Sequence, residues 1–400
     1  MAQSRARLLL VALAGALALV GCGSGGQAAS NDEFEVLYLG GLSGPLAPVT
    51  AQSVAGLKAA ADMLNERGGV NGRRVVVRTE DTQEDAARAT ALAQRELMGS
   101  DKPDVVWAGA TSTNAVAMAP VTTRAGVLSI NQAQTPDLYA PSTYPLTFGF
   151  LPSADELTRL TLTHFADAGV TRIGVLASND VFGQSFRTAF ERRAAALGIE
   201  VVAEDFSTTD LDLTGSYQRI VAQEPQQIFI NTLGPAAGRI MDARLKIGAT
   251  DIPTVLGTGL MATGDGPLSY TSPQALENAL MSIYTTQRYV AGDPDAPEPL
   301  RQFYTHYAQY APKVGPNSTA QIAWNALVTV GAAAEQAKSA DGPAIAAALE
   351  DLTPPDQPLW TPMGDFTSLT KDVHIVAAND DLLSFVVPVA LTEGGFPDRG

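Results

Sequence analysis

Apolar positions along the chain switch between a period of two and a period of 3.6 in a repeating order, and that alternation predicts strand–helix units. Glu35 to Leu39 (EVLYL) reads as a first strand, turned by the glycines of Gly40 to Gly44. Ala51 to Arg67 reads as a helix, because Leu57, Ala60, Ala61 and Leu64 share one face and Gly68-Gly69 closes it. A second strand over Arg74 to Thr79, a helix over Asp85 to Met98 and a third strand over 104–108 continue the series. Gly109 breaks that strand. The hydroxyl cluster Thr111-Ser112-Thr113 then supplies a cap for a helix from about Asn114, and Val127 to Asn131 is a fourth strand.

The rhythm restarts after Tyr144 to Phe150, which reads as a chain crossing into a second unit. Ser153 and Glu156 form a capping-box pattern for a helix over Ala154 to Ala168. Strands over Arg172 to Ala177, Glu200 to Ala203, Gln227 to Asn231 and Thr254 to Leu256 then alternate with helices over Phe182 to Leu197, Leu213 to Ala222 and Ala236 to Ile247. Leu280 to Thr286 is a strand leaving this unit. Helices over Pro299 to Tyr310, Ser318 to Lys338 and Pro343 to Leu349 follow, the last two alanine-rich and expected to be core. Short strands over 359–390 close the chain.

Repeated βα units imply parallel, doubly wound sheets. The fold class expected is therefore α/β, with two such lobes joined by a three-strand hinge. Lobe 1 is expected over 34–149 plus 282–358, and lobe 2 over 150–281 plus 359–390, with crossings near 149–152, 281–287 and 357–367. Ligands of open α/β sheets bind beyond the carboxyl ends of the strands. The helix start at Ser112 and Thr113 adds free N–H groups there, so this point is expected to grip the polar end of a small ligand.

Composition narrows the partners. The chain has 400 residues and a net charge of −16; loss of residues 1–21, which carry Arg5 and Arg7, makes it −18. Such a balance opposes nucleic acid and anionic lipid surfaces. Met1 to Gly21 reads as an export signal, with Leu8 to Val20 as an apolar stretch shorter than the ~20 residues of a membrane span. Cys22 is the only cysteine, so neither a disulfide nor a cysteine-based centre is expected in the body. His164, His306 and His374 lack the spacing of metal ligands, and Gly40, Gly41 and Gly44 lack that of a dinucleotide loop, so no metal or cofactor is expected.

Three groups of residues carry a resemblance. Leu19-Val20-Gly21-Cys22 resembles a bacterial lipobox, which implies a lipid on Cys22 and a tether over Gly23 to Ser30. Gly41-Leu42-Ser43-Gly44-Pro45 and Asn65-Glu66-Arg67-Gly68-Gly69-Val70-Asn71-Gly72 are similar to the branched-chain amino acid binding family of ABC importers, type I periplasmic binding proteins. Asp180-Val181-Phe182-Gly183 and Pro362-Met363-Gly364-Asp365-Phe366 fit the same family. By that resemblance Ser112 and Thr113 hold a ligand carboxylate, Gln132 and Gln134 contact it from the next loop, and Asp155 meets its ammonium. Phe182 covers it from lobe 2, with Leu233 and Thr258 on strand ends facing the cleft. Around Thr258 and Gly259, where amino-acid binders tend to supply a carboxylate, this sequence has none. A ligand without an ammonium, an aromatic or aliphatic acid or an amide, therefore stands beside an amino acid.

The function expected is a lipid-anchored, extracytoplasmic solute receptor, monomeric, that closes on a small polar metabolite and delivers it to an ABC permease. A sensing module using the same cleft is the alternative. An exported enzyme fares worst, since P-loop, G-x-S-x-G and HExxH patterns are all missing from the sequence.

Overall fold

The computed structural model describes residues 33–261, 270–311, 318–356 and 359–388. The signal, Cys22 and the tether lie outside the described residues. The elements run β1 (Glu33–Gly40), α1 (Ala47–Glu66), β2 (Arg74–Asp81), α2 (Ala86–Leu97), β3 (Val105–Ala108), α3 (Ser112–Ala125), β4 (Leu128–Asn131) and β5 (Thr147–Gly149). There follow α4 (Ala154–Asp167), β6 (Arg172–Ser178), α5 (Val181–Arg193), β7 (Glu200–Phe206), α6 (Thr214–Val221), β8 (Gln227–Asn231), α7 (Ala236–Lys246) and β9 (Thr254–Leu256). Last come β10 (Ala279–Tyr284), α8 (Glu298–Tyr307), α9 (Ser318–Ala337), α10 (Gly342–Leu349) and β11 (Leu383–Val386).

Two sheets result. One has the order β2-β1-β3-β4-β5 and is parallel throughout. The other has the order β11-β10-β9-β8-β6-β7 and is parallel except at its edge, where β11 runs antiparallel to β10. Strands buried on both faces are apolar without alternation, as in Val105-Val106-Trp107-Ala108, all fully buried. The same burial explains α9, apolar around nearly its whole circumference: it packs against α1 and α10 and sinks Trp324 into the core of the first sheet. The approach to α1 is close at Gly56, where a Cβ would stand 2.1 Å from the Ala320 carbonyl oxygen.

The structure moves one expected boundary. Residues 359–382 pack on the first sheet: Ile375 bridges Gly149, the Val376 N–H donates to the Gly149 carbonyl at 3.1 Å, and Thr361 exchanges hydrogen bonds with Asn325 of α9. Only 383–386 join the second sheet. The third crossing therefore lies near 380–383 rather than 357–367, beside the second, where the Thr285 N–H donates to the Leu382 carbonyl at 2.8 Å. The period-two pattern in this stretch marks isolated bridges and turns, which bury apolar side chains alternately without forming a ladder. The capping box expected at α4 is half formed: the Ser153 hydroxyl accepts from the Glu156 N–H at 3.3 Å, while the Glu156 carboxylate turns to Arg159 and Arg193.

His374 fastens the returning segment. It is fully buried, stacks on Phe148 of β5 with centroids 4.0 Å apart, and its Nε2 lies 3.1 Å from a Glu350 carboxylate oxygen. Burial holds its pKa below the ordinary histidine value, against the raising pull of Glu350. Between the lowered folded value and the ordinary unfolded value near 6.5 the unfolded chain binds more protons, so stability rises with pH across that window. We expect unfolding free energy, measured by urea titration, to fall as pH drops below about 6.5. His374→Phe, which keeps the stack, is expected to flatten that slope.

Candidate functional site

Segments that follow the carboxyl ends of strands from both sheets meet around one cavity of about 40 Å³. The first sheet contributes Ala110, Thr111 and Ser112 after β3, Gln132 and Gln134 after β4, and Leu151 after β5. The second contributes Phe182 after β6, Leu233 after β8, Thr258 and Gly259 after β9, and Tyr284 at the end of β10. Val49 of α1, together with Ser318, Thr319 and Ile322 of α9, completes the wall.

Local sequence explains how these groups are held. Gly109 turns the chain out of β3 with φ of +83°, a conformation that side chains resist. Thr111, not Ser112, is the cap of α3; its hydroxyl accepts from the Asn114 N–H at 3.4 Å. Ser112 and Thr113 thus open the first helical turn, whose N–H groups lack intrahelical acceptors. The Ser112 hydroxyl accepts from the Gln134 N–H at 3.2 Å, which ties the β3 and β4 loops together. The Gln132 amide nitrogen donates to the Ala110 carbonyl at 3.3 Å, leaving its oxygen buried with no partner. The Gln134 amide nitrogen donates to the Pro152 carbonyl at 3.2 Å, at the first crossing. From the other side Asp180 caps α5 through the Gly183 N–H at 2.8 Å and so places Phe182 in the first turn. Phe182 lies against the β9 loop so tightly that a Cβ on Gly259 would stand 3.1 Å from its ring.

The described wall of this cavity is uncharged. It offers hydroxyls, amides and apolar side chains, and the amino ends of α3 and α9 both open onto it. That pairing favours an acceptor group on a ligand. Burial raises the pKa of the Tyr284 hydroxyl, which bonds Thr258, so it stays a neutral donor.

An outer chamber of about 350 Å³ adjoins this cavity and shares Thr111, Phe182 and Leu233 with it. Its wall adds Thr113, Glu84 and Leu46 from the first sheet's side, and Asp180, Thr208 and Arg239 from the second's. Burial raises the Glu84 pKa, opposed by hydrogen bonds from the Gly41 N–H and the Thr111 hydroxyl.

Residues 33–379 match the family described as periplasmic binding protein. The chain belongs to that family. The periplasmic binding protein is 26% identical over 318 residues to the Leu/Ile/Val-binding protein BraC3 of Rhizobium johnstonii, covering 78% of this chain and 81% of the relative. Its fold is similar to that of a periplasmic binding protein type 1 from Bordetella pertussis Tohama I, with a TM-score of 0.76 and 17% identity over 88% of this chain and 96% of the other. It is also similar to a solute binding protein of an ABC transporter from Rhodopseudomonas palustris BisB5 solved with 3,4-dihydroxy benzoic acid. There the TM-score is 0.67 and the identity 22%, over 80% and 86% of the two chains. Family membership places the chain outside the cytoplasm.

Of the side chains singled out in the sequence of this periplasmic binding protein, Ser112, Gln132, Gln134, Phe182, Leu233 and Thr258 line the inner cavity together. Thr113 lines the outer chamber instead. Asp155 does neither, and its expected role toward an ammonium is corrected here. It faces a separate groove with Asp137 and Arg192, and Arg192 and Arg193 of α5 engage its carboxylate, the Arg193 Nε at 2.7 Å. The Arg193 hydrogen bond, ahead of the opposing burial, holds the Asp155 pKa below the ordinary carboxylate range. Asp155→Asn is expected to leave solute affinity unchanged within about twofold by calorimetry. Stability is expected to drop above the ordinary carboxylate range, where the ion pair is intact, and to converge with the parent as acid protonates Asp155.

Residues missed at the level of sequence include Val49, Leu151, Tyr284, Ser318, Thr319 and Ile322 of the inner cavity and Glu84 and Arg239 of the outer chamber. Ser318-Thr319 at the start of an alanine-rich helix was a readable signal, the same hydroxyl-at-helix-start pattern as at Ser112. Tyr284 closes an apolar strand and carries no such mark.

Proposed function

We propose that this protein is a lipid-anchored receptor, held to the membrane through Cys22, that binds a small solute between its two lobes and delivers it to the permease of an ABC importer without chemically changing it. The observation that carries this reading is the inner cavity, to which both sheets contribute loops from the carboxyl ends of their strands. In that reading Ser112, Gln132, Gln134, Phe182, Leu233 and Thr258 bind the solute directly, and Thr113 borders its outer end.

The solute fits best as a small carboxylate or amide, aliphatic or aromatic. Two helix amino ends and the Tyr284 hydroxyl suit an acceptor group, while Val49, Leu151, Phe182 and Ile322 suit an apolar body. The relative from Rhizobium is a Leu/Ile/Val-binding protein by name, and the one from Rhodopseudomonas was solved with an aromatic acid, so both solute types lie within the range of this architecture. A cavity of about 40 Å³ holds only a few waters, at roughly 10–15 Å³ each, so a solute of this size enters only as the lobes part. Closure then follows from the solute's preference for the state in which both lobes touch it.

A thermal-shift screen of the mature chain against amino acids, aliphatic acids, benzoates and their amides tests this. Stabilisation by acids or amides, with the solute recovered unchanged, is the expected result. A screen in which no small solute stabilises the protein, or in which one is consumed, contradicts it.

A further inference from the structure

The wall of the outer chamber carries a cation that pairs with no carboxylate among the described residues. Arg239, at the end of the first turn of α7, lines this chamber and donates from Nη2 to the Thr208 carbonyl at 2.5 Å. None of the ion pairs among the described residues includes it, although nearby Arg219 and Lys246 pair with Glu204 and Asp212. A partly buried guanidinium that borders a chamber and pairs with no carboxylate among the described residues marks, through its outer Nη groups, a place for an oxyanion from outside the chain.

The two carboxylates of the same chamber are already engaged. Glu84 accepts from the Gly41 N–H, the Thr111 hydroxyl and the Asn114 amide at 2.8, 3.1 and 2.9 Å. Asp180 accepts from the Gly183 N–H and the Ser178 hydroxyl at 2.8 and 2.9 Å. Their charges repel an anion at large in the chamber, so one is held only where the guanidinium fork meets it directly. Beside Arg239, α7 begins at Ala236 with no side-chain cap, and its first N–H groups add positive potential on that wall. Phe182 and Leu233 line both compartments and form an apolar neck between them.

We propose that the outer chamber is a second subsite of the solute cleft, in which Arg239 takes a carboxylate or comparable planar oxyanion at the far end of a solute whose near end occupies the inner cavity. This rests on the solute-receptor reading above and narrows it to bifunctional organic acids, with a small head, an apolar middle and an anionic tail. The fork geometry of arginine favours two parallel hydrogen bonds to such a group.

Calorimetry on the mature chain with two matched pairs of probes, adipate with hexanoate and terephthalate with benzoate, tests the proposal. Each dianion is expected to bind about tenfold or more tightly than its monoanion. Arg239→Gln is expected to erase that preference while changing monoanion affinity less than twofold, and Arg239→Lys to retain part of it. Lys246→Gln removes the same charge from the same helix and is expected to leave the preference intact. The subsite is overturned, and the solute cleft survives, if monoanions bind as tightly as dianions, if Arg239→Gln keeps the preference, or if Lys246→Gln removes it equally. Absence of binding by all four probes, in a protein that another solute of the thermal-shift screen stabilises, overturns the subsite and leaves the solute cleft standing.

Discussion

Replacing Ser112 by alanine and Thr113 by valine together is expected to abolish the solute-dependent rise in melting temperature. Hydrogen bonds to a charged group contribute about 1.5–3 kcal/mol each, which corresponds to a roughly 10- to 150-fold loss of affinity for each one removed. The two positions are not equal. Ser112 borders the inner cavity and Thr113 the outer chamber, so the single Ser112→Ala variant is expected to account for most of the loss. Ser112→Ala also strips the acceptor from the Gln134 N–H, a buried donor, at a cost of about 1–3 kcal/mol to the unliganded protein. A comparison of the unliganded melting temperatures, with and without each change, separates the two effects. A double variant that kept its full solute-dependent shift would remove α3 from the site.

The second large effect is expected far from the cleft, at Arg244. This residue is fully buried in lobe 2, and its guanidinium donates to the carbonyls of Ala275 at 2.7 Å and of Thr250 and Ile252 at 2.9 Å each. Burial pulls its pKa below the usual arginine value. The arrangement pins two loops at the amino ends of β9 and β10, one following α7 and one preceding β10. Arg244→Ala takes the side-chain donor from the Ala275 carbonyl and one of two from the Thr250 and Ile252 carbonyls, which keep Asn278 and Thr254, and it opens a cavity, a combination expected to lower unfolding free energy by about 3 kcal/mol. Arg244→Met fills most of the volume but restores no donor, and is expected to recover only part of the loss. Urea denaturation reads both. A midpoint shift corresponding to less than about 1 kcal/mol for Arg244→Ala would show that water serves those carbonyls equally well.

The order of strands and helices was legible because each element buries one face, and burial fixes the period of its apolar residues. Cap and turn chemistry was legible for the same local reason, as at Gly109, Thr111 and Ser153. Less was legible where the outcome depends on what is adjacent in space. Thr361 and Ile375 carry no local sign that their partners are Asn325 and Gly149, so the third crossing was placed too early. Asp155 had the residue type and the position of a ligand acid. Whether it serves as one depended on Arg192 and Arg193, at the carboxyl end of α5, which reach its carboxylate first. Arg239 was invisible for the opposite reason, since what sets it apart is the lack of a carboxylate partner among the described residues around it. Helix α1 begins at Ala47 rather than Ala51, because Pro48 fits the first helical turn and extends it backwards.

Hydrogen exchange with the tightest-binding probe of the screen tests most directly whether a solute lodges between the two sheets. The expected result is slowed exchange in segments of both lobes at once, around 110–114 and 132–134 of the first and around 182–184 and 258–260 of the second. Slowing confined to one lobe, or centred on the groove beside Asp155, would contradict it.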